Sequence, residues 1–126
     1  MAVLNILGKM TFPGSPSGAN NPVMIGAPTV PATSTTGFSL NYNETAQFEY
    51  VVPAAGTRVV NFGSIATGKF LYIGTDQPIT YTMNGGVEVF SLSAGGFLLI
   101  AMGSLSALTI IAGAQEARVF VLVLGD

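Results

Sequence analysis

Few side chains in this 126-residue chain can do chemistry, because it has no histidine and no cysteine and only six acidic and four basic residues. Glu49, Asp76 and Glu88 are the carboxylates that could pair for glycoside hydrolysis, one protonating the leaving oxygen and the other attacking or activating water. Glu49 and Glu88 stand between apolar neighbours, as an outward-facing strand residue does, and no tryptophan supplies the usual platform for a sugar. The stretch "GSIATGKF", residues 63–70, follows the phosphate-binding pattern G-x-x-x-x-G-K until its last position. There Phe70 replaces the Ser or Thr that ligates magnesium, and the following "FLYIG" reads as a strand rather than the helix whose amides would cradle phosphate. The serines have no histidine base, and "SLSAGG" lacks the nucleophile-elbow pattern. Without histidine, cysteine or a clustered acidic loop, the chain offers no metal site. The expectation is a protein that is not an enzyme, with no catalytic residue, cofactor or metal.

Charge narrows the partners. Charged residues make up 8 % of the chain, against roughly 25 % in an average soluble protein, and the net charge is −2. So few cations cannot build the positive stripe that neutralises nucleic-acid phosphates or anionic headgroups. No nucleic acid is expected as a partner. The absence of cysteine excludes disulfides, and "MAVLNILGKM" has neither the basic start nor the cleavage pattern of a secretory signal.

The elements that must position any site read as strands. Residues 1–37 form an N-terminal strand and an extended arm, since residues 13–37 hold five of the seven prolines, and proline can join a sheet only at its edges. Within the arm Val23, Met24, Ile25 and Val30 are apolar beyond what a free linker needs, and they are candidates for docking on a neighbouring subunit. Residues 38–126 switch to short alternating runs between turn residues. "AQFEYVV" sets Phe48, Tyr50 and Val52 on one face, and "PITYTM" sets Ile79, Tyr81 and Met83 on one side. Asn84-Gly85-Gly86 suits a tight hairpin turn, with "VEVFSL" as the return strand. Further strands are expected at 57–62, 69–74, 97–102, 107–112 and 117–124, with "SAGG" and "MGSLS" as turns. About eight strands in one domain predict an all-β fold, a single jelly-roll-like β-sandwich with an extended Pro/Gly-rich arm. The four tyrosines, Tyr42, Tyr50, Tyr72 and Tyr81, could form a stacking face for a ligand such as a glycan.

Residues 89–115 carry no charge over more than the roughly 20 residues that a transmembrane helix needs. Gly95-Gly96, Gly103-Ser104 and Ser106 nevertheless break the run at strand-and-turn spacing, so buried strands and no membrane are expected. The final strand, "ARVFVLVLGD", is apolar on both faces and must be covered twice. One sandwich has one inner layer, so the second face predicts a homo-oligomer or another protein partner, with Phe97, Leu99, Ile110, Phe120 and Leu122 as the candidate interface.

The pattern "FLYIGTDQPITYTMNGGVEVFSLSAGGFLLIAMG…LTIIAGAQEARVFVLVLGD", residues 69–126, resembles the small virion proteins of tailed bacteriophages. The shared texture is a strand ending in glycine, an aromatic-bearing hairpin, a "lsaGG-flll" stretch and a closing "a-v-v-l-gD". The resemblance implies a capsid decoration, or cement, protein. Such a protein binds the major capsid protein on the capsid exterior, often as a trimer, and stabilises contacts between capsomers. Related sandwiches in tail fibres and baseplates imply an alternative, a module binding a cell-surface glycan.

Overall fold

The computed structural model describes residues 2–6, 9–10, 23–24 and 38–126. Those residues form twelve strands: β1 (Ala2–Ile6), β2 (Lys9–Met10), β3 (Val23–Met24), β4 (Phe38–Tyr42), β5 (Glu44–Val52), β6 (Thr57–Val59), β7 (Gly68–Thr75), β8 (Ile79–Met83), β9 (Phe90–Leu92), β10 (Phe97–Leu105), β11 (Leu108–Ala112) and β12 (Ala117–Gly125). The chain divides into two compact units, Met1–Asn41 and Tyr42–Asp126. In the N-terminal unit β2 runs antiparallel to β3, with Lys9 opposite Met24 and Met10 opposite Val23. β1 and β4 make a second two-stranded sheet.

The second unit is a sandwich of two four-stranded sheets, in the orders β10-β7-β12-β5 and β6-β11-β8-β9. Its strand pairs are antiparallel. This order is that of an eight-stranded jelly roll: the first strand of the unit, β5, lies beside the last, β12, and successive strands switch sheets except at β8 and β9, which pair within one sheet. Alternation builds the core. Along β12 Val119, Val121 and Val123 are fully buried, as are Leu71 and Ile73 on β7. From the other sheet Leu108, Ile110, Ile79 and Tyr81 face them. Each large side chain so buried contributes about 1.5–3 kcal/mol. Arg58, at the edge of the second sheet, lies 4.4 Å from the centre of the Tyr50 ring, a cation–π contact that lets a charged residue sit against the rim of the core.

Three expectations about the elements need correction. Gly103 and Ser104, read from sequence as a turn, lie inside β10, where the pairing with β7 shifts register between Ala101 and Leu105. A bulge absorbs these residues, and the chain bends without leaving the sheet. The return strand after Asn84-Gly85 also starts later than expected, at Phe90. Val87, 94 % exposed, and Val89 therefore project from the connection instead of pairing. Finally, the strand expected over 57–62 ends at Val59, and Val60 and Phe62 bury as part of the loop that follows.

The hairpin turn itself has the geometry its residues favour. Asn84 and Gly85 have φ of 55° and 67°, and the Gly86 amide donates to the Met83 carbonyl at 2.9 Å, as a type I′ turn requires. The Asn84 side chain reaches across to the β10–β11 corner. Its Nδ2 donates to the Ser104 carbonyl at 3.0 Å, and its Oδ1 accepts from the Ser106 amide at 2.7 Å. Asn84→Ala loses both bonds and places a Cβ-bearing residue without a compensating side chain at positive φ. It is expected to lower stability by about 1–2 kcal/mol in urea unfolding, and Asn84→Gly, which relieves the φ strain alone, should lose less.

Candidate functional site

The distinguishing surface is the outer face of the β10-β7-β12-β5 sheet. In an antiparallel sheet directly opposed residues share a face, so the register sets its rows. Phe97 lies opposite Gly74, Gly74 opposite Phe120, and Phe120 opposite Glu49. The next row is Leu99, Tyr72, Leu122 and Gln47. Over three strands these two rows carry no charge. Phe97 is 65 % exposed and Leu99 38 %, while Tyr72, Phe120 and Leu122 are half-buried. Phe70 and Leu124, one row further on, are buried.

Tyr72 lies over Gly74 in this strip. A Cβ on Gly74 would stand 3.4 Å from Cε1 and Oη of Tyr72, at ordinary van der Waals contact. The Tyr72 ring is stacked on Phe97 with centroids 6.0 Å apart and meets Phe120 edge-on at 6.1 Å. Both are spacings at which aromatic pairs attract beyond their buried area.

Beyond Phe120 the strip ends in an open cleft of about 530 Å³ lined by Glu49, Gly74, Thr75, Asp76, Gly95, Arg118 and Phe120. Backbone pairing fixes two of its charged residues. Asp76 Oδ1 accepts from the Arg118 amide at 2.8 Å, and the Asp76 amide donates to the Arg118 carbonyl at 3.2 Å. Gly95, at φ 75°, donates its amide to the Thr75 carbonyl at 3.0 Å and so closes the β9–β10 turn against the end of β7.

The residues proposed from sequence are divided by the fold. Phe97, Leu99, Phe120 and Leu122 come together on the outer strip. Ile110 does not: it alternates with Thr109 and Ile111 on β11, points between the sheets and is fully buried in the core, so it cannot be an interface residue of the folded domain. Ile25 and Val30 lie outside the described residues, and Val23 and Met24 are placed as backbone in β3. The four tyrosines form no common face, since Tyr50 and Tyr81 turn into the core and only Tyr72 joins the strip. Of the three carboxylates, Glu49 and Asp76 share the cleft, whereas Glu88 is exposed in the β8–β9 connection. Arg118 and Gly74 were not singled out from sequence, and Gly95 was read there only as part of a turn. The signal for Gly74 was a glycine inside an otherwise apolar strand, and that for Arg118 its outward place in the alternation of β12.

The lookalike phosphate loop is spent internally. The Ala66 and Thr67 amides donate to the Asp126 carbonyl at 2.8 and 3.0 Å, and the next element is strand β7. Lys69 forms an ion pair with Asp126, whose side chain also accepts from Asn43 Nδ2 at 2.9 Å. The Lys69 hydrogen bond holds the Asp126 carboxyl below its ordinary value. Among the described residues no group of three or more histidine, cysteine, aspartate or glutamate side chains converges as metal ligands would. No helix among them is long and apolar enough to cross a membrane.

Comparison with known proteins returns no matching family model and no matching curated protein. Among solved structures, a chain from Bacillus endospore appendages, described as a family of disulfide-linked pili, is 16 % identical with a TM-score of 0.45, over 64 % of this chain and 82 % of that one. The cupin domain of Schizosaccharomyces pombe Cnp3 is also 16 % identical with a TM-score of 0.45, over 96 % of this chain and 83 % of that one.

Proposed function

We propose that this chain is a viral structural protein, a capsid decoration protein without enzymatic activity that docks on the major capsid protein and cements neighbouring capsomers. One observation carries the reading: the uncharged strip of Phe97, Leu99, Tyr72, Phe120 and Leu122, with Phe97 65 % exposed. Aromatic and aliphatic anchors at the centre of a patch, with charge excluded, are what the core of a lasting protein interface contains. The arm, through Val23, Met24, Ile25 and Val30, adds a second contact, and a trimer at the capsid exterior is the favoured assembly. The likeness of residues 69–126 to phage virion proteins supports the same reading.

The test is binding of the full chain to purified phage heads from which decoration proteins have been stripped. Binding is expected to change little with added salt, because few ion pairs are available to be screened. Removal of residues 1–37 should weaken binding while the sandwich stays folded. Equal decoration by the truncated and full chains would remove the arm from the account, and no decoration by either would end the reading.

A second reading has one specific observation in its favour. The cleft beside Phe120 brings carboxylates, a guanidinium and an aromatic wall together, which suits a tail-fibre or baseplate module that binds a cell-surface glycan.

A further inference from the structure

We propose that the cleft between Glu49, Asp76, Arg118 and Phe120 binds a neutral sugar ring of a glycan chain. This deepens the second reading above and does not depend on docking to a capsid. The cleft, about 530 Å³, is within the roughly 300–1,000 Å³ usual for small-ligand sites.

Its chemistry selects the ligand class. Glu49 and Asp76 supply carboxylates, which only accept hydrogen bonds when ionised, and Arg118 supplies a guanidinium, which only donates. Among the described residues neither Glu49 nor Arg118 enters an ion pair. A cationic ligand would meet the guanidinium and an anionic one the two carboxylates, each at a cost in like-charge repulsion. A hydroxyl group donates and accepts, so a polyhydroxylated neutral ring can satisfy all three groups. Phe120 offers the apolar wall against which the C–H face of such a ring packs. Gly74 and Gly95 line the same cleft without side chains, leaving room for the ring to settle.

The site is also held ready. The Arg118 backbone amide holds the Asp76 carboxylate through Oδ1 and the edge-on contact with Tyr72 holds the Phe120 ring, so two of its walls are fixed before any ligand arrives. Groups already ordered need not lose that freedom on binding.

The experiment applies the full chain to an array of neutral hexose, N-acetylhexosamine and sialylated oligosaccharides, together with Glu49→Gln, Arg118→Gln and Phe97→Ser variants checked for unchanged thermal unfolding. Retention on one or more neutral glycans is expected, reduced at least tenfold by Glu49→Gln and by Arg118→Gln. Phe97→Ser, outside the cleft, should bind as the unsubstituted chain does. The proposal is overturned if no neutral glycan is retained, if binding is confined to sialylated glycans, or if both cleft variants bind undiminished. Phe97→Ser instead bears on docking to phage heads, so failure on the array with head binding intact removes the sugar site and leaves the docking reading standing.

Discussion

Replacing Ile110 by alanine is expected to remove about 2–5 kcal/mol of folding stability, the range for truncating a large aliphatic side chain in a closed core. Ile110 is fully buried, with Tyr81 and Arg58 opposite it in register on its two neighbouring strands. A domain of this size has only about 5–15 kcal/mol to lose, so the midpoint of urea unfolding should fall sharply. The informative contrast is Leu122→Ala. That residue is half-buried on the outer strip, and its truncation should cost about 1 kcal/mol or less. Effects on docking should be reversed, with folded Ile110→Ala protein binding phage heads normally and Leu122→Ala weakened. A loss below about 1 kcal/mol for Ile110→Ala, joined to weakened head binding, would return Ile110 to the interface.

The second large effect falls on binding. Phe97→Ser combined with Leu99→Ser is expected to weaken attachment to phage heads by about 100-fold, or near 2.7 kcal/mol. Central aromatic anchors commonly contribute 2 kcal/mol or more. The two residues sit on β10, an edge strand of its sheet, and both are exposed. Their loss should therefore leave folding within about 1 kcal/mol, the difference arising mainly from the lost stacking of Phe97 on Tyr72. Titration of heads with labelled protein measures the binding, and urea unfolding of the same samples measures the stability. Unchanged attachment would show that the strip is not the docking surface.

Much of the fold could be read in the sequence, because alternation with period two states which residues face inward. The valines of β12 and the Ile79–Tyr81–Met83 run declared their faces, and Asn84-Gly85 declared its turn by residue type. Ile110 was misassigned for a physical reason. Residues 108–112, "LTIIA", are apolar at four of five positions, and local hydrophobicity alone cannot say which of Ile110 and Ile111 enters the core. Their register with β8 decides it, placing Ile110 opposite buried Tyr81 and Ile111 opposite Thr80. Gly103-Ser104 reads as a turn by composition, and only the pairing of β10 with β7 reveals a bulge. The cleft was the least legible part. Glu49, Asp76 and Arg118 are far apart in sequence, and they meet because β5, β7 and β12 are neighbours in one sheet, an order that no local pattern records.

The most direct test of the account is an electron cryomicroscopy map of phage heads carrying the bound protein. The outer face of the β10-β7-β12-β5 sheet is expected to lie against capsid protein, with Phe97 and Leu99 covered. A map in which that face looks out to solvent and a different surface makes the contact would contradict it.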